Sequence, residues 1–394
     1  MPNRSSSFDV AVVGAGVIGL AVAWRSAQRG LKVVVIDRAS EVGSGTTPIA
    51  AGMIAPISEA IAAEQPLMRL GLASARAYPE FVAELRESSG MDPGFLSCGT
   101  LFGARDPDEA EALTRELALR ERLRLPARRL LASEARRLEP ALTPTLRLAL
   151  EIPDDHAIDP RKLTPALAQA ARAAGAELRL NAPVTRVTIE SDRVTGVELA
   201  DGHRVGAEHV VLAAGVWSDT VGGLPDEARV PIHPVKGQIL RLHDPNGPGL
   251  LTHALRMTGA YLVPRGDGRY VLGATMEERG FDTTVTAGGV FELLRNAFEL
   301  LPSITELVID EAVAGLRPAT PDNAPAIGRG AIPGLHWATG HFRHGILLTP
   351  ITAEIMAAVL AGEDPDKVAP EDQGKLAAEF TPTRFSSRTH AVAA

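Results

Sequence analysis

The segment Asp9-Val10-Ala11-Val12-Val13-Gly14-Ala15-Gly16-Val17-Ile18-Gly19-Leu20 leaves this chain little choice of opening fold. Val10 to Val13 is a near-continuous apolar run, the composition of a parallel strand buried on both faces. It stops at a GxGxxG element and gives way to Leu20-Ala21-Val22-Ala23-Trp24, which has helical composition. A second apolar strand, Leu31 to Ile36, follows the break at Arg29-Gly30 and ends on Asp37. Strand, glycine turn, helix, strand and acid in this order read as a dinucleotide-binding unit. Gly14 permits the tight turn, Gly16 lets backbone approach a pyrophosphate, and Gly19 lets helix and strand pack closely. The helix N-terminus offers unpaired N–H groups to the phosphates. Asp37 can accept hydrogen bonds from an unphosphorylated ribose diol. The unit alone does not separate FAD from NAD.

A length of 394 residues exceeds the usual single domain, so two domains are expected. After Asp37, hydroxyls and glycines alternate through Ser44-Gly45-Thr46-Thr47 and on to Ala51-Gly52-Met53, a loop whose N–H groups suit an anion. Helical spacing from Leu67 to Leu85 is interrupted by Pro79, and Phe95 to Phe102 reads as a strand carrying Gly99. Asp106 to Leu125 reads as a charged amphipathic helix. The βαβ rhythm returns at Ile158-Asp159-Pro160 and continues through the buried strand ending Ala213-Ala214-Gly215-Val216-Trp217-Ser218. Val230 to Leu242, Leu251 to Val263 and Arg269 to Thr275 alternate in polarity, which fits a mixed or antiparallel sheet. Leu335 to Ile346 forms a last strand and glycine turn before a helix ending near Ala361. The expected fold is α/β: a Rossmann-like nucleotide domain from residues 1–60, 155–225 and 315–365, interleaved with an α+β substrate domain from 61–154 and 226–314. Residues 366–394 read as a loosely held C-terminal tail.

Composition narrows the function classes. A net charge of −8 disfavours nucleic acid and anionic membrane as partners. No apolar stretch approaches the ~20 residues of a membrane span. Cys98 is the single cysteine, so an internal disulfide is impossible and a reducing, cytoplasmic setting is expected. Ala and Gly dominate the apolar residues, so support from a bound cofactor or a homo-oligomer is expected. His336, His341 and His344 straddle a glycine turn with no carboxylate or thiol close in sequence, so no metal site is expected.

Three motifs, taken with Tyr261-Leu262-Val263-Pro264-Arg265 and Gly273-Ala274-Thr275-Met276, carry a resemblance. They are the opening GxGxxG with Asp37, the strand end at Ala213–Ser218, and Gly315-Leu316-Arg317-Pro318 followed by Gly340-His341-Phe342-Arg343-His344-Gly345. Across about residues 8 to 362 the sequence resembles the FAD-dependent D-amino-acid oxidase family, and within it the glycine-oxidase branch of thiamine biosynthesis. The resemblance implies non-covalent FAD along Gly14, Gly16, Val17, Ile18, Gly19, Asp37, Arg38, Thr46, Thr47, Ala51, Gly52 and Met53. It implies a backbone contact from Val184, and His341, Phe342, Arg343, His344, Gly345, Ile346 and Leu347 at the flavin ring. It also implies substrate residues Tyr261, Arg317 and Arg343, with Met276 and Met53 bordering a small pocket. Arg343 would fork onto the substrate carboxylate, a task suited to guanidinium geometry. Gly259, two positions before Tyr261, stands where the family pattern has a polar residue, which leaves the preferred amine open.

The activity implied is oxidative deamination of glycine, small amines or D-amino acids by hydride transfer to flavin. Molecular oxygen is the expected acceptor, and imino or keto acid, ammonia and hydrogen peroxide the expected products. Orientation carries such a transfer, so no protein acid or base is expected. The competing readings are a D-amino-acid dehydrogenase, a sarcosine-oxidase-like enzyme, and a flavin electron-transfer subunit without a substrate pocket.

Overall fold

Strand Phe8–Val13 lies at the centre of the parallel core in the computed structural model, which describes residues 8–365 and 376–386. It pairs in parallel with Val33–Ile36 on one side and Arg204–Leu212 on the other. Glu177–Arg179 and Leu335–Thr339 extend this core, also in parallel. Val184–Glu190, Arg193–Leu199 and Ala326–Arg329 add antiparallel strands and complete an eight-stranded sheet. Alternation sends Val10, Val12, Val33 and Val35 to one face, against Leu20, Trp24, Leu163 and Ile351 of three helices. Those helices are Val17–Gln28, Pro160–Ala173 and Thr349–Leu360. Ala11, Val13 and Val34 face the other way, into a core with Val187, Val197 and Trp337. Both faces are covered, which is why the central strands are apolar throughout.

The second sheet also has eight strands. Their order is Val308–Ala319, His233–His243, Arg269–Gly273, Ala260–Pro264, Ala254–Met257, Thr100–Ala104, Leu148–Ile152 and Arg128–Leu131. Its neighbours are antiparallel, except Ala254–Met257 beside Thr100–Ala104, so the sheet is mixed. Helix Ala287–Leu300 seals one face through Leu293, Ala297 and Leu300. A short three-stranded sheet of Met53–Ile54, His156–Ile158 and Phe95–Leu96 lies apart from the two large ones.

Five local readings change, the first being Phe95 to Phe102, which breaks at Gly99, with a φ of 66°, into Phe95–Leu96 and Thr100–Ala104 of different sheets. Helix Gln65–Ser89 runs unbroken past Pro79, because Pro79 sits on the exposed face, where water can replace the missing hydrogen bond. That helix lies within the 61–154 segment expected in the substrate domain, yet its Leu70, Tyr78, Phe81 and Leu85 are buried in one core with Val10, Leu20 and Ile351. Leu251 to Val263 is a hairpin rather than one strand: Met257 pairs with Ala260, and Gly259 takes a φ of 79° in the two-residue turn. Residues 376–386 are not loose, since Phe380 and Phe385 are buried and the Phe380 carbonyl accepts from Ile327 N–H at 2.9 Å. The remaining expected tail, 366–375 and 387–394, lies outside the described residues.

Candidate active site

The glycine turn is fixed by close backbone approach. Gly14 holds a φ of 113° and donates its N–H to the Ile36 carbonyl at 2.8 Å. A Cβ at Gly14 would lie 2.5 Å from the Ala213 carbonyl oxygen, and one at Gly19 would overlap the Gly14 carbonyl. Gly16 differs: the nearest atom to a Cβ there is Thr47 Oγ1 at 3.4 Å, across open cavity. Asp37 ties the turn together, accepting the Ala15 N–H at 2.6 Å and the Ala39 N–H at 2.8 Å. Thr47 Oγ1 accepts the Val17 N–H at 3.2 Å, one of the first helix's free donors.

A cavity of about 370 Å³ runs from this turn to the second sheet. Every expected cofactor residue lines it except Gly19, whose task is packing. Tyr261, Arg317, Arg343 and Met53 line it as well. Met276 does not: it is 60% exposed, on the loop after Gly273. Glu59, Pro183 and Trp217 complete the wall without belonging to any of the cofactor or substrate motifs. Trp217 stacks beneath the Arg38 guanidinium, 4.0 Å from its ring centroid.

Positive charge gathers at the end of the cavity near the second sheet. Arg317 Nη1 donates to the carbonyls of Thr275 at 3.1 Å and Lys236 at 3.3 Å, and its guanidinium lies flat over Gly237, where a Cβ would collide. Burial pushes the Tyr261 phenol above its ordinary range, while neighbouring Arg317 draws it back. Arg343 follows Phe342, which holds a left-handed φ of 47°, strain that aims the next side chain. Its Nε is buried without a partner, and its nearest carboxylate, Glu64, lies 3.9 Å from Nη2. The three histidines have three separate partners. His341 Nε2 meets Thr352 Oγ1 at 3.0 Å, His344 Nδ1 lies 3.4 Å from Glu59, and His336 Nε2 meets His209 at 3.0 Å. Burial holds His341 at about 3 and lowers His344, so neither ring carries charge near neutrality. Cys98 is not on the cavity wall, and burial pushes its thiol up to about 11.

Supporting contacts come from residues without motif character. Ser74 Oγ and Tyr78 Oη, on helix Gln65–Ser89, donate to the Leu347 and Ile346 carbonyls, fixing the loop beside Arg343. Arg265, lowered to about 10 by burial, donates to Ala51 O at 2.7 Å and Ile158 O at 3.2 Å. It clamps the second sheet onto the segment preceding Met53. Arg265→Met should leave both carbonyls short of a donor and destabilise the protein by about 2–4 kcal/mol. Chemical denaturation, with the bound-flavin content of each sample recorded, checks this.

The donor set fits an extended anionic dinucleotide: an open approach at Gly16, helix N–H groups, threonine hydroxyls and an acid beyond the second strand. At the far end Arg343, whose buried Nε has no hydrogen-bond partner, fits a small acid. Fold and site together define a dinucleotide-dependent oxidoreductase. Residues 9–359 match the family model DAO, FAD dependent oxidoreductase, and the chain belongs to that family. Glycine oxidase of Geobacillus kaustophilus is 36% identical over 356 residues, covering 89% of this chain and 92% of its own. The bifunctional protein ThiO/ThiG of Synechocystis is 34% identical over 387 residues, and this chain spans 55% of its length. The crystal structure of glycine oxidase from Geobacillus kaustophilus superposes with a TM-score of 0.84 at 34% identity, covering 91% and 95% of the two chains. Among the described residues no helix is long and apolar enough to cross a membrane.

Proposed function

We propose that this chain oxidises glycine and similarly small amines with FAD, releasing imino or keto acid, ammonia and hydrogen peroxide. We further propose that the product enters the thiazole branch of thiamine synthesis, as the ThiO name of a relative suggests. The observation that carries the reading is the buried, unpartnered Nε of Arg343 beside a cavity that begins at the glycine turn. Arg343 takes the substrate carboxylate in a fork, and the Tyr261 hydroxyl donates to the same group. Arg317, already committed to two carbonyls, balances charge at the other side. Bound FAD supplies the hydride acceptor. The protein contributes placement of the α-hydrogen and exclusion of water by Tyr261, Met53 and Ile239. The decisive assay follows peroxide with glycine, sarcosine and D-alanine. Peroxide from glycine supports an oxidase, flavin bleaching without peroxide supports a dehydrogenase, and neither result leaves an electron carrier.

No side chain at the site is needed as a base. The amine must be neutral to give up hydride, so kcat/KM should rise with pH until the free amine is deprotonated. With both site histidines uncharged near neutrality, this limb should move with the amine's own pKa when substrates are exchanged. A limb fixed at one pH for glycine and for a less basic amine would show that a protein group takes the proton. Steady-state oxygen uptake across pH decides the matter.

A further inference from the structure

Hydride transfer from a neutral amine changes the charge of the substrate. As the hydrogen leaves carbon with its electron pair, the nitrogen lone pair closes a C=N bond and the nitrogen becomes cationic. Arg317 and Arg343 suit a carboxylate, but both oppose that growing positive charge. Among the described residues, two carboxylates lie on the wall of the large cavity. Asp37 is taken up at the glycine turn, whereas Glu59 stands 3.4 Å from Nδ1 of His344, the neighbour of Arg343. Glu64 is not on that wall. Burial and Arg317 act most on the Tyr261 phenol, and Glu59 is the next charge that it senses.

The backbone around Glu59 is fixed from several sides. Asp155, fully buried, accepts the Ile57 and Ser58 N–H groups at 3.1 and 3.0 Å. Arg120 Nη2 donates to the Ser58 carbonyl at 2.9 Å, and the Glu59 N–H donates to the Ala55 carbonyl at 3.2 Å. The carboxylate itself has long cationic contacts: besides His344 it meets Arg256 Nη1 at 3.5 Å, beyond the range of a charge-assisted hydrogen bond. Its side chain is only 14% exposed. A rigid turn therefore presents a largely dehydrated carboxylate with acceptor capacity to spare.

We propose that Glu59 accepts an N–H of the bound substrate and offsets the positive charge that grows on its nitrogen, which selects amines over hydroxy acids of the same size. The inference rests on the reading that Arg343 takes the carboxylate and that an amine is oxidised. One hydrogen and two electrons of a C–H bond pass to the flavin, the lone pair makes the C=N bond, and nitrogen keeps both its hydrogens. Glu59 neither takes nor gives a proton, so the step still needs no base.

Glu59→Gln keeps the shape and an acceptor oxygen but removes the charge. Anaerobic bleaching of the purified flavoprotein by glycine, followed by stopped-flow absorbance, should slow about 10- to 100-fold, the range of one hydrogen bond to a charged group. Flavin content should stay at the wild-type level. Acetate has the carboxylate and no nitrogen, so its dissociation constant, read from the flavin spectrum, should rise less than twofold. Glu59→Asp retains the charge and should slow bleaching less, again without weakening acetate; it decides on the same readouts if Glu59→Gln does not fold. Bleaching of Glu59→Gln at the wild-type rate overturns the proposal. Loss of acetate binding in proportion to the rate also overturns it, because the turn would then merely support Arg343. If glycine does not bleach the wild-type flavin, the proposed activity fails, yet the role of Glu59 is still read from binding. Glycine should then bind more tightly than glycolate, with the difference lost in Glu59→Gln; equal wild-type affinity for the two refutes it.

Discussion

Arg343→Ala is expected to raise the KM for glycine about 10²- to 10³-fold while the purified protein keeps its flavin. The magnitude follows from a forked guanidinium–carboxylate pair in a partly dehydrated site, where losing the cation costs about 3–4 kcal/mol. Arg343 suits this role because its competing interactions are weak. Its Nε is unpartnered, and Glu64 stands 3.9 Å from Nη2. Arg317 offers no equally clean test, since it also bridges the Thr275 and Lys236 carbonyls, and removing it disturbs the sheet. Arg343→Lys should fall between wild type and alanine, because an ammonium supplies charge without the planar fork. Steady-state kinetics and absorbance of the same preparations check both quantities. Flavin loss in proportion to the KM change would mean that Arg343 holds the cofactor region together rather than the substrate.

The parts of this site that lie within one short segment were legible in the sequence. The glycine turn, Asp37, Thr46-Thr47 and the run from His341 to Leu347 are local motifs, and all but Ala15 and Gly19 among them line one cavity. Glu59, Ser74 and Tyr78 have no such signature. Each reaches the site only through packing between elements far apart in the chain. Tyr78 illustrates the difficulty: its helical spacing predicts a core residue, and it is one, yet its hydroxyl also holds the Ile346 carbonyl. Met276 failed for the opposite reason. Its motif neighbour Gly273 ends a strand of the sheet, but the chain leaves the sheet there and carries the methionine into solvent. Strand Val308–Ala319 escaped the periodicity reading because it is a sheet edge with an exposed first half, where Pro318 is tolerated and no apolar alternation is required.

Two glycines of the opening turn should fail differently when each is replaced by alanine, and the contrast tests where the dinucleotide lies. Gly16 has φ −78° and ψ 177°, which alanine adopts without strain, and its added methyl would meet nothing closer than Thr47 Oγ1 at 3.4 Å. Gly16→Ala should therefore fold with near wild-type stability. It should bind FAD at least about 10²-fold more weakly, because the methyl enters the space that the phosphates need at the helix N-terminus. Gly19 has no such freedom. Its Cβ would overlap the Gly14 carbonyl oxygen and press on Val12, so the helix must move off the strand. A displacement of that kind in a fully buried core costs about 3 kcal/mol or more, and Gly19→Ala should lose both flavin and thermal stability. Flavin titration of the apoproteins and thermal unfolding by circular dichroism separate the two outcomes. A yellow, tightly binding Gly16→Ala protein would place the pyrophosphate elsewhere, and with it the whole orientation of the cofactor toward Arg343.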